Sequence, residues 1–255
     1  MPDLRHDHSG ETKIVIDLMR IKTLGGISAA KGTIKLGALA TVTDLIESKL
    51  IAREAPILRD MAAKFAGPII RNRATMAGNI IDGGPAADIV PPLLALKAAV
   101  KLTSLKGRRT VALDKFLTGY RQIAIKSGEI ITEITFPSPG KNHLHGYYKL
   151  ARRNAMAITV VGVAVILKMK GKICKEAGIS LGSVNPTPIR CYEAEKLLAG
   201  KEITLDLAQI VAEACAAVAT PIDDIRASAE YRKLMCEVLP RRLICQAAGI
   251  SIDPT

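Results

Sequence analysis

Ala66-Gly67-Pro68-Ile69-Ile70-Arg71-Asn72-Arg73-Ala74-Thr75-Met76-Ala77-Gly78-Asn79-Ile80-Ile81-Asp82-Gly83-Gly84-Pro85-Ala86-Ala87-Asp88 gathers turn-forming glycines, hydroxyl and amide side chains, two arginines and carboxylates into one short run. Glycine has no Cβ, so the main chain around Gly78 can come close to an anion. Thr75, Gly78 and Asn79 offer N–H and side-chain donors that a diphosphate could take. Asp88 stands further on, able to accept from a ligand hydroxyl. The same residues also suit a buried turn in which Asn79 and Asp88 satisfy neighbouring backbone groups. Arg71 and Arg73 share this ambiguity, since arginines beside a turn either neutralise a phosphate or form surface ion pairs. Spacing alone identifies no ligand.

Upstream, the β-branched runs Lys13–Leu18 and Thr33–Leu36 predict strands, and Thr43 is expected to cap a helix carrying Leu45, Ile46 and Leu50 on one side. Pro56 suits the first turn of a second helix, in which Ile57, Leu58, Met61 and Phe65 recur at helical spacing until Gly67-Pro68 ends it. Downstream, Val100–Leu105 and Thr110–Leu113 read as a hairpin across Lys106-Gly107, and Glu129–Phe136 as an alternating strand closed by Pro137 and Pro139. The Pro137-Ser138-Pro139-Gly140 run, with Lys141 and Asn142 after it, is the expected domain boundary.

Beyond it, Gly146–Ala151, Ile158–Met169 and Ile173–Ser183 predict three successive antiparallel strands, the last two joined at Gly171-Lys172. Helices follow over Tyr192–Ala199, Leu205–Ala219 behind the cap Thr204, and Ala229–Ala248 behind the cap Ser228. Pro240 lies inside the last of these. It has no N–H for the carbonyl of Cys236, so a kink or break is expected there. The pattern is α+β in two parts, a mixed domain over 1–142 and a sheet-plus-helices domain over 143–255.

Composition limits the function classes. At 255 residues and 49% hydrophobic content the chain can bury one large or two moderate cores. The longest apolar stretch, around Ala155–Leu167, is shorter than a bilayer span, so no membrane span is expected. Met1 is followed by charged and polar residues, which points to a cytoplasmic location. A formal charge of +12 raises nucleic-acid binding, but the basic residues are dispersed. Aromatic content of 3% without tryptophan also supplies few stacking platforms, so no nucleic acid is expected as partner.

Five scattered cysteines without Cys-x-x-Cys spacing give neither a cluster ligand set nor a disulfide framework, and read as reduced core residues. The pairs His6/His8 and His143/His145 each lack a third ligand nearby, so no metal site is expected. No nucleophile elbow or Walker loop is present, and no catalytic residue is assigned.

The motif order resembles a known family. Ile70-Arg71-Asn72-Arg73-Ala74-Thr75-Met76-Ala77-Gly78-Asn79-Ile80, followed by Pro85-Ala86-Ala87-Asp88, is similar to the flavin-binding segment of the FAD subunits of molybdenum hydroxylases, the medium subunits of the carbon monoxide dehydrogenase and xanthine dehydrogenase type. The likeness extends upstream to Lys35–Leu45. Downstream it takes in Tyr148-Lys149-Leu150-Ala151-Arg152-Arg153, Gly182–Pro188 and Ser228-Ala229-Glu230-Tyr231-Arg232. One branch, the 4-hydroxybenzoyl-CoA reductases, carries an inserted iron–sulfur cluster in this subunit, and no cysteine-bearing insert is visible here.

The resemblance implies a two-part FAD-binding domain of the PCMH type, then a smaller domain with a three-stranded antiparallel sheet and helices, with FAD in a slot between them. It implies that Thr75, Met76, Ala77, Gly78 and Asn79 form the turn at the FAD diphosphate and that Asp88 bonds the cofactor's polar chain. Lys149 would lie near the flavin ring, where a cation would favour the reduced form; a solvated strand lysine is the plain alternative. Ile131 would pack on the ring, or be an ordinary inward strand residue. The implied function is an electron-transfer subunit of a hetero-oligomer. Its partners would be a large molybdenum-cofactor subunit and a small subunit with two iron–sulfur clusters, and NAD or another acceptor would take the electrons. The chain departs from the family at its start. A Gly-Gly-Thr type loop has no match in Asp7-His8-Ser9-Gly10, and Leu24-Gly25-Gly26-Ile27-Ser28 reads as a turn. Either the start of the reading frame is missing or supplied by a separate chain, or half of the cradle is lost, which would make the chain a flavin-free structural subunit.

Overall fold

The computed structural model describes residues 14–252; Asp7–Gly10 and the His6/His8 pair lie outside the described residues. A helical turn at Lys22–Leu24 precedes β1 (Ile27–Ala30) and β2 (Thr33–Gly37). Six helices follow: α1 (Val42–Glu47), α2 (Lys49–Glu54), α3 (Pro56–Lys64), α4 (Pro68–Arg71), α5 (Met76–Ile81) and α6 (Val90–Ala95). Next come β3 (Ala99–Ser104), β4 (Gly107–Ala112), α7 (Leu113–Phe116), the small pair β5 (Leu117–Gly119) and β6 (Gln122–Ile123), and β7 (Ile130–Pro137). The chain then enters β8 (His143–Ala151), β9 (Thr159–Lys170), β10 (Ile173–Gly182) and β11 (Ile189–Arg190). It ends with α8 (Tyr192–Leu198), β12 (Lys201–Glu202), α9 (Leu205–Ala217) and α10 (Ala229–Ala248).

The first sheet is antiparallel with order β1-β2-β7-β3-β4. Alternation buries Ile34 and Leu36 of β2 and Val100 and Leu102 of β3, the period-2 signature of a sheet with one face on a core. In β7 strict alternation would send Ile131 and Ile134 to opposite faces, yet both are buried. The register slips between Lys101 and Leu102, leaving Thr132 as the extra residue of a bulge. Ile131 is thereby turned into the core opposite Leu102, with 3% of its surface exposed.

Several local expectations need correction. The helix cap is Thr41 rather than Thr43: its Oγ1 accepts from the Asp44 N–H at 3.1 Å while the Asp44 carboxylate accepts from the Thr41 N–H at 2.7 Å. Thr43 instead donates to Asn72 Oδ1 at 2.6 Å. The helix expected to reach Leu50 is divided at Ser48, whose extended backbone ends α1 and whose hydroxyl caps α2. Thr41→Ala is expected to cost about 1 kcal/mol, measurable as a lower midpoint in urea with an unchanged slope. Residues 14–18 form no strand. Ile14, Val15 and Ile16 are exposed and pair with no strand among the described residues, which a β-branched run cannot supply for itself.

The second sheet has the expected three long antiparallel strands, β8, β9 and β10, with the two-residue β11 and β12 added on β10. It is covered on both faces. Ala164 and Ile166 of β9 join the core of the first part, while Val161, Val163, Val165 and Leu167 join a core with α9 and α10. All six residues of α6 are buried, because this short Pro-Pro helix from the first part packs against β9 and β10. The caps Thr204 and Ser228 accept from the N–H groups of Leu207 and Tyr231, as expected. Pro240 does not break α10, which continues from Ala229 to Ala248. The carbonyl of Cys236 forfeits one bond there, but Cys236, Leu239, Pro240, Leu243 and Ile244 are buried against the sheet, and that contact holds the segment helical. The five cysteines are free and buried.

Candidate functional site

The end of α3 shapes the first wall of the site. Arg71 turns back and donates Nε to the Phe65 carbonyl at 2.5 Å and Nη2 to the carbonyls of Ala63 and Ala66 at 2.8 and 3.1 Å. It satisfies carbonyls that a helix C-terminus leaves without partners. Neither reading of Arg71, phosphate neutraliser or surface ion pair, describes this role. Arg73 is exposed.

The glycine run itself is helical rather than an open turn. Thr75 caps α5, its Oγ1 accepting from the Gly78 N–H at 3.1 Å. The N–H groups of Met76 and Ala77 bond the carbonyls of Ala40 and Ala38, and that of Asn79 bonds the carbonyl of Thr75. Met76 and Ala77 are buried. A Cβ at Gly78 would come within 2.9 Å of Thr75 Oγ1, so the glycine serves the cap. These N–H donors are already used inside the fold, that of Met76 through the bridge that pairs Thr41 with Thr75. Asn79 Oδ1 accepts from the Ile89 N–H at 3.3 Å and joins α5 to the start of α6.

A cleft of about 1390 Å3 is bordered by Phe65–Ile70, Asn79, Asp88, Tyr120 and Arg121 from the first part and by Lys149, Met156–Thr159 and Ser183–Pro186 from the second. Of the residues expected at a cofactor, Asn79, Asp88 and Lys149 line it; Thr75–Gly78 and Ile131 do not.

Asp88 and Lys149 meet on its wall. Lys149 Nζ donates to Asp88 Oδ2 at 2.6 Å, with side chains 9% and 10% exposed. Lys149 is therefore no solvated strand lysine. Thr159 Oγ1 donates to Asp88 Oδ1. Burial, with a contribution from the Asp88 charge, pushes the Tyr147 phenol well above its usual range. Thr159 belongs to none of the motifs; its one signal in the sequence is a hydroxyl ahead of the apolar run from Val160 to Leu167.

Arg232, from the Ser228–Arg232 motif, joins Asp224 and Arg226 in a second polar group at the cleft. Asp224 accepts from Arg226 at 2.6 Å and Arg232 at 3.0 Å. The buried Arg232 also donates to the carbonyls of Ile222 and Ser183. The Arg226 guanidinium holds the Asp224 carboxyl well below its usual range. A lowered folded value means that this pairing stabilises the fold fully above about pH 4, near the unfolded carboxylate value, and that the gain is lost as pH falls further. Asp224→Asn should accordingly melt below the parent at pH 7, with the difference shrinking toward pH 2 to 3 in a series of melting curves.

Residues 3–139 match the FAD binding domain in molybdopterin dehydrogenase, and residues 146–247 match the CO dehydrogenase flavoprotein C-terminal domain. The chain belongs to the FAD-binding subunits of the molybdenum hydroxylases. This flavoprotein subunit is 31% identical over 246 residues to the xanthine dehydrogenase FAD-binding subunit of Escherichia coli O157:H7, covering 96% of this chain and 84% of that protein. Against the carbon monoxide dehydrogenase medium chain of Afipia carboxidovorans, identity is 36% over 236 residues, covering 91% and 81%. The cyanide-inactivated Cu,Mo-CO dehydrogenase structure superposes with a TM-score of 0.86 at 33% identity, covering 89% of this chain and 79% of that one. The subunit's cleft fits FAD. It exceeds the roughly 300–1,000 Å3 of an ordinary small-molecule site, its walls include the apolar Phe65, Ile69, Ile158 and Ile222, and they carry a near-buried cation, Lys149. Among the described residues no helix is long and apolar enough to cross a membrane, and no cluster of three metal-ligating side chains occurs.

Proposed function

We propose that this FAD-binding subunit is the electron exit of a cytoplasmic molybdenum enzyme. It takes electrons from a small subunit with two iron–sulfur clusters, fed by a large subunit that holds the molybdenum cofactor, and delivers them to NAD or another acceptor. The reading is carried by one observation: a carboxylate and an ammonium paired on the wall of a cleft large enough for a dinucleotide. The kinship with a carbon monoxide dehydrogenase medium chain supports the three-part assembly.

When bound, FAD supplies a group that accepts electrons singly from an iron–sulfur centre and passes them on singly or in pairs. The chain's own residues hold and tune it. Asp88 would accept from hydroxyls of the cofactor's polar chain, Lys149 would present positive charge to the ring, and Asn79, which also lines the cleft, would serve the diphosphate. The division into 1–142 and 143–255 leaves the cofactor between the parts, where ligand sites commonly form.

The absorbance spectrum of the purified chain, before and after incubation with FAD, tests this. One FAD per chain with flavin bands, and co-purification with a molybdenum subunit and an iron–sulfur subunit, are expected. A chain that stays colourless after incubation and dialysis would overturn it.

A further inference from the structure

We propose that Thr159 is a positioning residue that sets how much of the Lys149 charge reaches the cleft. This deepens the reading of the cleft as the FAD site and rests on it. Asp88 belongs to the loop before α6 in the first part of the chain. Its two oxygens are divided between adjacent strands of the second: Oδ1 accepts from Thr159 at the start of β9, Oδ2 from Lys149 on β8 at 2.6 Å. Thr159 is itself 3% exposed and is held from its other side, its carbonyl accepting from Arg226 Nη1 at 3.0 Å. Arg226 is in turn fixed by Asp224 at 2.6 Å. Thr159 sits where the pairing of β8 with β9 slips, between Leu150 and Ala151. The hydroxyl therefore has a defined place, and it points at the carboxylate rather than at solvent.

A hydroxyl proton bonded to one carboxylate oxygen draws charge from the group, so the carboxylate compensates a bound ammonium less fully. With Thr159 on Oδ1, more of the Lys149 field remains, and that field favours the reduced form of a neighbouring flavin. Without the hydroxyl, Asp88 is free to turn both oxygens to Lys149. The cation is then more completely compensated, and the carboxylate is withdrawn from the cofactor's hydroxyls.

The test uses the full chain with FAD and compares Thr159→Val, which keeps the shape but removes the donor, with Thr159→Ser, which keeps the donor. The expected result is an FAD dissociation constant raised about tenfold in T159V, together with a flavin midpoint potential below the parent's. Thr159→Ser should restore both. If T159V fails to fold, Thr159→Ala removes the same donor and takes its place. FAD bound by every variant with unchanged potential would overturn the role of Thr159 while leaving the cleft as the flavin site. Loss in T159S equal to that in T159V would show that the methyl and not the hydroxyl matters, which also overturns it. A parent chain that takes up no FAD would overturn the functional reading and this inference together.

Discussion

Lys149→Met should destabilise the chain by about 2 to 3 kcal/mol and weaken FAD binding at least tenfold. Removing one partner of a buried ion pair leaves the other charge uncompensated, at about 3–5 kcal/mol for fully buried groups. Asp88 and Lys149 retain about a tenth of their side-chain exposure and border the cleft, so water recovers part of that cost. Asp88 would keep the Thr159 hydroxyl as a donor but lose its counter-charge. The explanation predicts partial rescue: Asp88→Asn in the Lys149→Met background removes the stranded charge and should return more than half of the lost stability in urea titrations, without returning FAD affinity. Equal stability of the single and double variants would show that the pair is not coupled as the geometry requires. A lower flavin midpoint potential in Lys149→Met is expected on the same grounds.

The largest structural effect is expected at Gly178 in β10. A Cβ there would stand 2.1 Å from the carbonyl oxygen of Ala95 and 2.9 Å from its carbonyl carbon. Both are backbone atoms of a fully buried helix, so no side chain can swing aside. Gly178→Val should cost more than about 3 kcal/mol out of a typical total of about 5–15, lowering the melting temperature by roughly 10 °C. Gly146→Ala is the matched control. Its Cβ would meet Leu243 Cδ2 at 3.0 Å and Cβ at 3.3 Å, a looser contact than the one at Gly178, and a smaller loss of stability is expected.

What could be read from the sequence was local. Pro56 opens α3, the β3–β4 hairpin forms, the three long strands appear near their expected bounds, and Thr204 and Ser228 cap their helices. Each depends on residues a few positions apart. What could not be read depends on distant partners or on register. Ile14–Ile16 has strand-forming residues but no strand beside it among the described residues. Ile131 is inward because of a bulge that no pattern of apolar residues announces. Arg71 serves the end of the preceding helix instead of an anion.

The site followed the same division. Asp88 and Lys149 were individually recognisable from their motifs, yet their bond spans 61 positions, and Thr159 carries no motif at all. The glycine run reads two ways for a physical reason: Gly78 suits a phosphate turn and the cap under Thr75 equally, and residue type cannot separate the two.

The seating of α6 against β9 and β10 also governs how the molecule would respond to being cut. Lys141 is exposed in the five-residue connection between β7 and β8, a natural target for trypsin. The nicked halves should nevertheless elute from a sizing column as one particle, because α6 remains wedged under the sheet of the other half and Asp88 remains tied to Lys149. Expressed separately, the leading fragment would carry a bare apolar helix and the trailing fragment a bare sheet face. Each would precipitate alone and be rescued by mixing with the other.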